Sequence, residues 1–453
     1  MSTDPREIIA KSPMSTLQIV AVAITIGLNA LDGFDVLSIA FASPGITKEW
    51  GINKQTLGIV LSMELIGMSI GSLVLGGVAD KIGRRPTILG CLVLMTLGML
   101  MAAQTSGVYE LSAWRIVTGL GIGGVLAAIN AVAAEFSNHK RRHFSVSIMA
   151  IGYPVGAVSG GLVAAELLKT YTWHSVFYFG AACTAVFIPL TLLFVPESVA
   201  WLARKQPENA LEKINRTLKR MGHAAVAALP VIPADIRKRS VGDLFAPGLI
   251  ATTLLVAAAY FFHVTTFYFV LKWTPSIVND LGLDPSLSAK VLVWANVGGA
   301  LGGAVLGLLT LRFSVKALTI GAMLLSTVMV VIFGRSPADF ATLSLLCACS
   351  GFFTNGAIVG MYAIFAQAFP THVRAAGTGF GIGVGRGGSV LAPIIAGFLF
   401  QNGVPVPTVA MMLALGSLCA AIVVSFLKLK ADDSDAESAD ERSPQLKSAT
   451  ASS

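Results

Sequence analysis

Apolar residues in this chain come in long runs, separated by short polar breaks. Runs of about 20 residues, each long enough for the ~30 Å hydrocarbon core of a bilayer, lie near 17–43, 55–78, 87–105, 109–134, 143–167, 173–195, 247–278, 289–310, 317–334, 339–366, 375–400 and 406–428. The pattern predicts an all-α membrane protein with twelve transmembrane helices. The first run resembles a signal peptide at Ala40-Phe41-Ala42, but it is longer than the ~7–15 residues of a secretory core and carries Asp32 and Asp35. It reads as a retained helix.

The two halves repeat. At an offset of 231, Pro44 maps to Pro275, Gly51 to Gly282, and Gly67, Gly71 and Gly76 to Gly298, Gly302 and Gly307. Further on the offset slips by one, and Arg142 maps to Arg374 and Gly156 to Gly388. The expected architecture is therefore two pseudo-symmetric six-helix bundles, 17–198 and 246–428, with a solute site between them near mid-bilayer. A cytoplasmic segment (1–16) precedes them and an Arg- and Lys-rich cytoplasmic linker (199–245) joins them. A Ser-, Ala-, Asp- and Glu-rich tail (429–453) is expected to be disordered.

Composition agrees. Of 453 residues 55% are hydrophobic and 12% charged, with mean hydropathy +0.76; a soluble domain carries roughly twice that charge. The formal charge of +8 comes from 32 Lys and Arg. With the N-terminus inside, 24 of these fall on inner segments, five on outer edges and three within spans. That bias predicts that both termini are cytoplasmic, and it accounts for the basic charge without nucleic acid; the expected location is the cell inner membrane, crossed many times.

The inner loop after the second span reads Gly76-Gly-Val-Ala-Asp80-Lys81-Ile-Gly83-Arg84-Arg85. Gly76 and Gly83 permit close helix approach and a turn. Asp80 can accept from helix N-terminal amides or from arginine, and Arg84 and Arg85 anchor the loop at the inner face. The stretch resembles the signature loop of the major facilitator superfamily, where it acts as a conformational latch. The second copy, Gly307 to Lys316, has lost the acid and the second glycine. Within the superfamily, three elements resemble the aromatic acid:proton symporters. They are Asp32-Gly33-Phe34-Asp35, Arg115 followed by Gly119, Gly121, Gly123 and Gly124 and ending at Glu135, and Arg374 to Gly379 continuing to Gly383-Val-Gly385-Arg386. Two departures stand: no proline precedes Asn130, and the loop between spans eight and nine lacks its acid. The resemblance implies proton-coupled uptake of an aromatic carboxylate by a monomer, with no cofactor. It also implies that Glu135 and Arg374 join Asp80 and the arginine pair in an inner charge cluster.

Ionisable groups inside spans are expensive to keep and mark function. By helix rise Asp32, Asp35, Glu64, Arg115, His263 and Arg386 fall between ~16 and ~27 Å above the inner face. Asp32 and Asp35, one turn apart, are the expected proton carriers; the alternative is an ion pair with Arg115 that only orients two helices. Arg115 and Arg386 are the candidates for a substrate carboxylate, because guanidinium offers a planar fork to it; the alternatives are pairing within the protein, Arg115 with Asp32 or Asp35 and Arg386 with Glu64. His263, the repeat mate of Asp32, is a proton relay or a satisfied core histidine. Glu64, opposite Ala295 in the repeat, is a second proton site or an arginine partner. Lys272 is expected to snorkel at the outer end of span seven. Some of the aromatic residues of that span, Tyr260 to Trp273, are candidates to stack on a planar ring. Pro154, between Gly152 and Gly156, predicts a bend in span five.

The cysteines, Cys91, Cys183, Cys347, Cys349 and Cys419, fall in apolar runs with no metal-ligand spacing. No phosphate-cradling G-x-x-x-x-G-K loop occurs, so ATP does not drive the protein directly, and no nucleophile–base constellation points to an enzyme. Two rivals share the fold. Gly156-Ala157-Val-Ser-Gly160-Gly161 resembles the antiporter element of drug exporters but has Ala where they have Pro. Pro196-Glu197-Ser198 resembles sugar porters, whose acidic signature after the last span is replaced by Phe426-Leu-Lys-Leu-Lys430.

Overall fold

The computed structural model describes residues 4–230, 241–370 and 373–428; the tail at 429–453 and the centre of the basic linker at 231–240 lie outside the described residues. Among the described residues, apart from a 3-10 turn at Val241–Phe245, the regular elements are α-helices. A short α1 (Pro5–Lys11) precedes six long helices: α2 (Thr16–Trp50), α3 (Lys54–Ile82), α4 (Arg84–Ala102), α5 (Val108–Glu135), α6 (Arg142–Thr170) and α7 (His174–Phe194). The linker contributes α8 (Val199–Lys205) and α9 (Ala210–Arg220). The second six are α10 (Ile250–Asp280), α11 (Pro285–Leu309), α12 (Val315–Phe333), α13 (Phe340–Ala368), α14 (Arg374–Gln401) and α15 (Val406–Phe426). Among the described residues, twelve helices are long and apolar enough to span a membrane. Their even number puts the start of the first span and the end of the last on one side, here the terminal side; the opposite one is the far side.

Local chemistry sets several helix ends. Ser15 and Gln18 form a reciprocal capping box at the start of α2. Its end is set by Gly51, whose φ of +60° suits glycine, and Asn53 then caps α3. The first span outruns its expected limit at 43, because α2 continues through buried Pro44 to Trp50. Pro154 likewise lies inside α6, which is unbroken from Arg142 to Thr170.

Each bundle repeats one packing plan: α2 on α6, α3 on α5 and α4 on α7, then α10 on α14, α11 on α13 and α12 on α15. The repeated glycines make the closest of these approaches possible. A Cβ on Gly67 would lie 2.2 Å from the Ile116 carbonyl oxygen and one on Gly71 2.1 Å from that of Leu120. At the mates Gly298 and Gly302 the corresponding carbonyls, of Ala348 and Phe352, would each be 1.9 Å away.

The bundles meet along α3–α14 and α6–α11, with α2 against α10, and the polar seams lie in the far-side parts of these helices. Ser62 donates to the Val390 carbonyl at 2.8 Å and Ser286 to that of Ala165 at 2.7 Å. Lys54 pairs with Asp280 at 2.5 Å, and Gly58 packs against Pro393 and Gly397. Toward the terminal side no hydrogen bond or ion pair joins α3 to the second bundle among the described residues, and Leu73 of α3 is 76% exposed. The far side is sealed and the cleft between the bundles opens at the terminal side.

Gly302→Leu should lower the thermal aggregation midpoint of detergent-purified protein, since a side chain forced into this contact costs about 1–3 kcal/mol or more. Gly321→Leu, where a Cβ meets nothing within 4 Å, should leave that midpoint near the parent value.

Candidate functional site

At the bottom of the cleft, buried carboxylates and cations from both bundles share one layer. Glu64 of α3 is its centre. Its Oε1 lies 2.5 Å from Arg115 Nη2 of α5, and its Oε2 lies 3.2 Å from Lys272 Nζ of α10. All three side chains are fully buried. Arg115 Nη2 also donates to the Asp35 carbonyl at 3.0 Å, Nη1 approaches Met99 Sδ at 3.0 Å, and the guanidinium sits 5.3 Å from the Phe177 ring centroid. Lys272 does not snorkel. Its ammonium donates to the Val36 carbonyl of α2 and to Glu64. By helix rise it lies ~12 Å inside the far end of α10, and Glu64 ~15 Å inside that of α3, so the sealed seam leaves it no route to water.

The two aspartates are buried without a bonded cation among the described residues. Asp35 has no hydrogen-bond partner on either carboxylate oxygen, and Asp32 Oδ1 has none. A buried polar group left unpaired is costly, which marks these two as the strained acids of the layer. Gly33 between them has a packing reason: a Cβ there would lie 2.0 Å from the Tyr153 carbonyl oxygen. The Asp-Gly-x-Asp spacing thus draws α6 onto α2 and brings Tyr153 to the site.

Across the cleft, Arg386 of α14 is only partly buried, and among the described residues its side chain has no hydrogen bond or ion pair. It lies within electrostatic range of Asp32, Tyr260 and Tyr268. Tyr153 lies within the same range of Asp32, Glu64, Tyr268 and Tyr362, and the Tyr260 and Tyr362 hydroxyls lie 3.3 Å apart. Of the two arginines expected to face a substrate carboxylate, Arg115 is closed off by Glu64 and Arg386 is available.

His263 stands outside this layer. Its Nε2 donates to the Thr354 carbonyl at 2.9 Å, and its Nδ1 meets the Ser417 hydroxyl at 2.9 Å. Since Nε2 carries the proton, a neutral ring uses Nδ1 as acceptor, and both nitrogens are satisfied by α13 and α15.

The signature loop forms a second cluster at the terminal side. Arg84 donates to Asp80 Oδ1 at 2.7 Å and approaches Glu135 Oε1 at 3.4 Å. Arg204 of α8 also reaches Asp80, at 3.4 Å. Gly83 has φ +113°, and a Cβ there would sit 2.2 Å from Glu197 Oε2. Glu197 accepts from the backbone N–H groups of Arg84 at 2.9 Å and Arg85 at 3.3 Å, so it, and not Asp80, binds the amides opening α4. Burial pushes its carboxyl above the ordinary value, opposed by the N–H groups of Ser198, Arg84 and Arg85. Gly76 has a looser role: a Cβ there would make only ordinary contact with Ala127, at 3.5 Å. Arg374 does not join the cluster. It is exposed and donates to the Phe369 carbonyl at 3.3 Å, because the open cleft separates α14 from α3 and α5 at this end. In the second copy of the loop, Lys316 instead caps the end of α15 through the carbonyls of Ser425 and Leu427, both at 2.7 Å.

Four contributors went unassigned in the sequence. Lys272 was legible as a match for the already assigned Glu64 by similar depth from the far side, ~12 and ~15 Å by helix rise. Tyr153 and Tyr362 were legible as polar aromatics inside apolar runs. Glu197 stood in a quoted motif, but its docking on α4 depends on tertiary contact.

The sequence profile of the Major Facilitator Superfamily matches residues 25–295 and 256–451. The 4-hydroxybenzoate transporter PcaK of Acinetobacter baylyi is 28% identical over 96% of this chain and 96% of its own. The gallate transporter of Pseudomonas putida is 27% identical over 93% and 94%. Among solved structures, the inward-open form of the xylose transporter XylE from Escherichia coli superposes with a TM-score of 0.70 at 17% identity, covering 92% of this chain and 97% of that one. With the profile spanning both bundles and the fold matching, the chain belongs to the Major Facilitator Superfamily.

Proposed function

We propose that this transporter takes up an aromatic carboxylate of the hydroxybenzoate type together with protons, across the cell inner membrane, as a monomer with both termini cytoplasmic. The relatives named for 4-hydroxybenzoate and gallate support the solute class, and the bias of Arg and Lys toward one side supports the orientation. With that orientation the structure is an inward-open state.

One observation carries the coupling. The layer holds three acids, Asp32, Asp35 and Glu64, against three cations, Arg115, Lys272 and Arg386. With every group ionised its formal charge is zero. An anion entering alone leaves a net negative charge in a poorly hydrated site, where charge is expensive. An anion entering with a proton on Asp32 or Asp35 leaves none. The proton and the solute therefore favour each other's presence, and neither aspartate must break a bonded ion pair to accept a proton. Arg386 receives the solute carboxylate in its planar fork, and Tyr153, Tyr268 and Tyr362 supply ring contacts and hydroxyls. Arg115 holds Glu64 and orients the layer. His263 serves as a packed core histidine. The cluster of Asp80, Gly83, Arg84, Arg85 and Glu135 is the latch that captures Arg374 when the inner side closes.

In proteoliposomes with an acidic exterior, the protein should accumulate radiolabelled 4-hydroxybenzoate, and a protonophore should collapse the accumulation. Asp32→Asn should abolish gradient-driven accumulation yet keep exchange of labelled for unlabelled solute. Accumulation by Asp32→Asn and Asp35→Asn at the parent level would remove both aspartates from coupling. Arg386→Gln should raise KM roughly tenfold or more, the loss of a charge-assisted bond, and an unchanged KM would place the carboxylate elsewhere.

A further inference from the structure

We propose that Lys272 is the tether that holds the far side shut, by carrying one buried positive charge from the second bundle into the first. Among the described residues, Lys272 is the fully buried cation that bonds across the seam. Its ammonium, on α10, reaches the Val36 carbonyl of α2 and Glu64 Oε2 of α3. Two helices of one bundle are thereby joined to the first helix of the other, in the layer where solute and proton meet.

The contact is one-sided. The repeat places Phe41 opposite Lys272 and Ala295 opposite Glu64, so the second bundle offers no matching pair. Other polar seam contacts are of another kind. Lys54 pairs with Asp280 and reaches the Ser276 hydroxyl at the wetted rim, and Ser62 and Ser286 donate neutral bonds across the seam. Opening the far side must draw α10 away from α2 and α3 and extract the ammonium from both acceptors. Glu64 does not lose its counter-charge at that step, because Arg115 belongs to its own bundle and stays at 2.5 Å. The pair Glu64–Arg115 is thus permanent, and Glu64–Lys272 breaks and reforms with each cycle. Burying an ammonium carries a desolvation penalty, which its two acceptors, the Val36 carbonyl and the Glu64 carboxylate, offset in the closed form. The inference rests on the alternation of two openings and not on the identity of the solute.

The test reads seam opening without any solute. In full-length protein with the five cysteines replaced, Ser286→Cys places a thiol in the α6–α11 seam, where Ser286 is 6% exposed. Alkylation by a membrane-impermeant maleimide applied from the far side reports opening. Lys272→Met should speed labelling roughly 10- to 100-fold, the range for losing one charge-assisted hydrogen bond. Lys272→Gln, which keeps a donor for Val36 without the charge, should also speed it and serves if the Met variant is not monodisperse. Unchanged or slower labelling in a monodisperse variant would overturn the tether. A tether confirmed here would stand even if hydroxybenzoate uptake failed.

Discussion

The structure depends on a carboxylate that has no access to water. Glu64 can be buried at the seam because Arg115 and Lys272 approach its two oxygens, one from each bundle. Opposite charges at such depth are costly singly and tolerable together. That constraint fixes how close α3, α5 and α10 must come, and it leaves Asp32 and Asp35 without a bonded cation beside a layer that is otherwise paired. The paired members give the site its shape, while the unpaired aspartates and Arg386 give it chemistry to offer.

Around this layer each half is closely packed within itself. Glycines repeated at 67, 71, 298 and 302 bring backbones to carbonyl contact within each bundle, where little sliding is possible. Between the bundles, contacts are fewer and lie toward one end, so the seam is the soft element. The halves also differ in their charges. The first carries Asp32, Asp35, Glu64, Arg115 and the inner cluster with Glu197; the second contributes Lys272 and Arg386. A shared ancestral plan has been divided between a bundle that handles the acids and one that brings cations to them.

Much of this was legible in the chain. Run lengths located the spans, and the offset of 231 between glycines exposed the two bundles. The cost of buried charge singled out Asp32, Asp35, Glu64, Arg115 and Arg386 before any contact was known. Partners were harder, because pairing depends on rotation about each helix axis, which all-round apolar sequence does not encode. Arg115 was open to Asp32, Asp35 or a substrate, and it binds Glu64. Lys272 looked like a surface lysine until the far side was seen to seal over it. Arg374 matched the inner cluster by motif, but it stands apart because motifs do not record which end of the cleft is open.

The central claim is that an anion and a proton share one charge balance. Titrating purified protein with 4-hydroxybenzoate in buffers of different ionisation enthalpy measures the protons exchanged on binding. The account predicts net proton uptake with the solute near neutral pH, and none in Asp32→Asn, Asp35→Asn double-substituted protein. Tight binding by the parent with no proton exchanged at any pH between acid and neutral would contradict it.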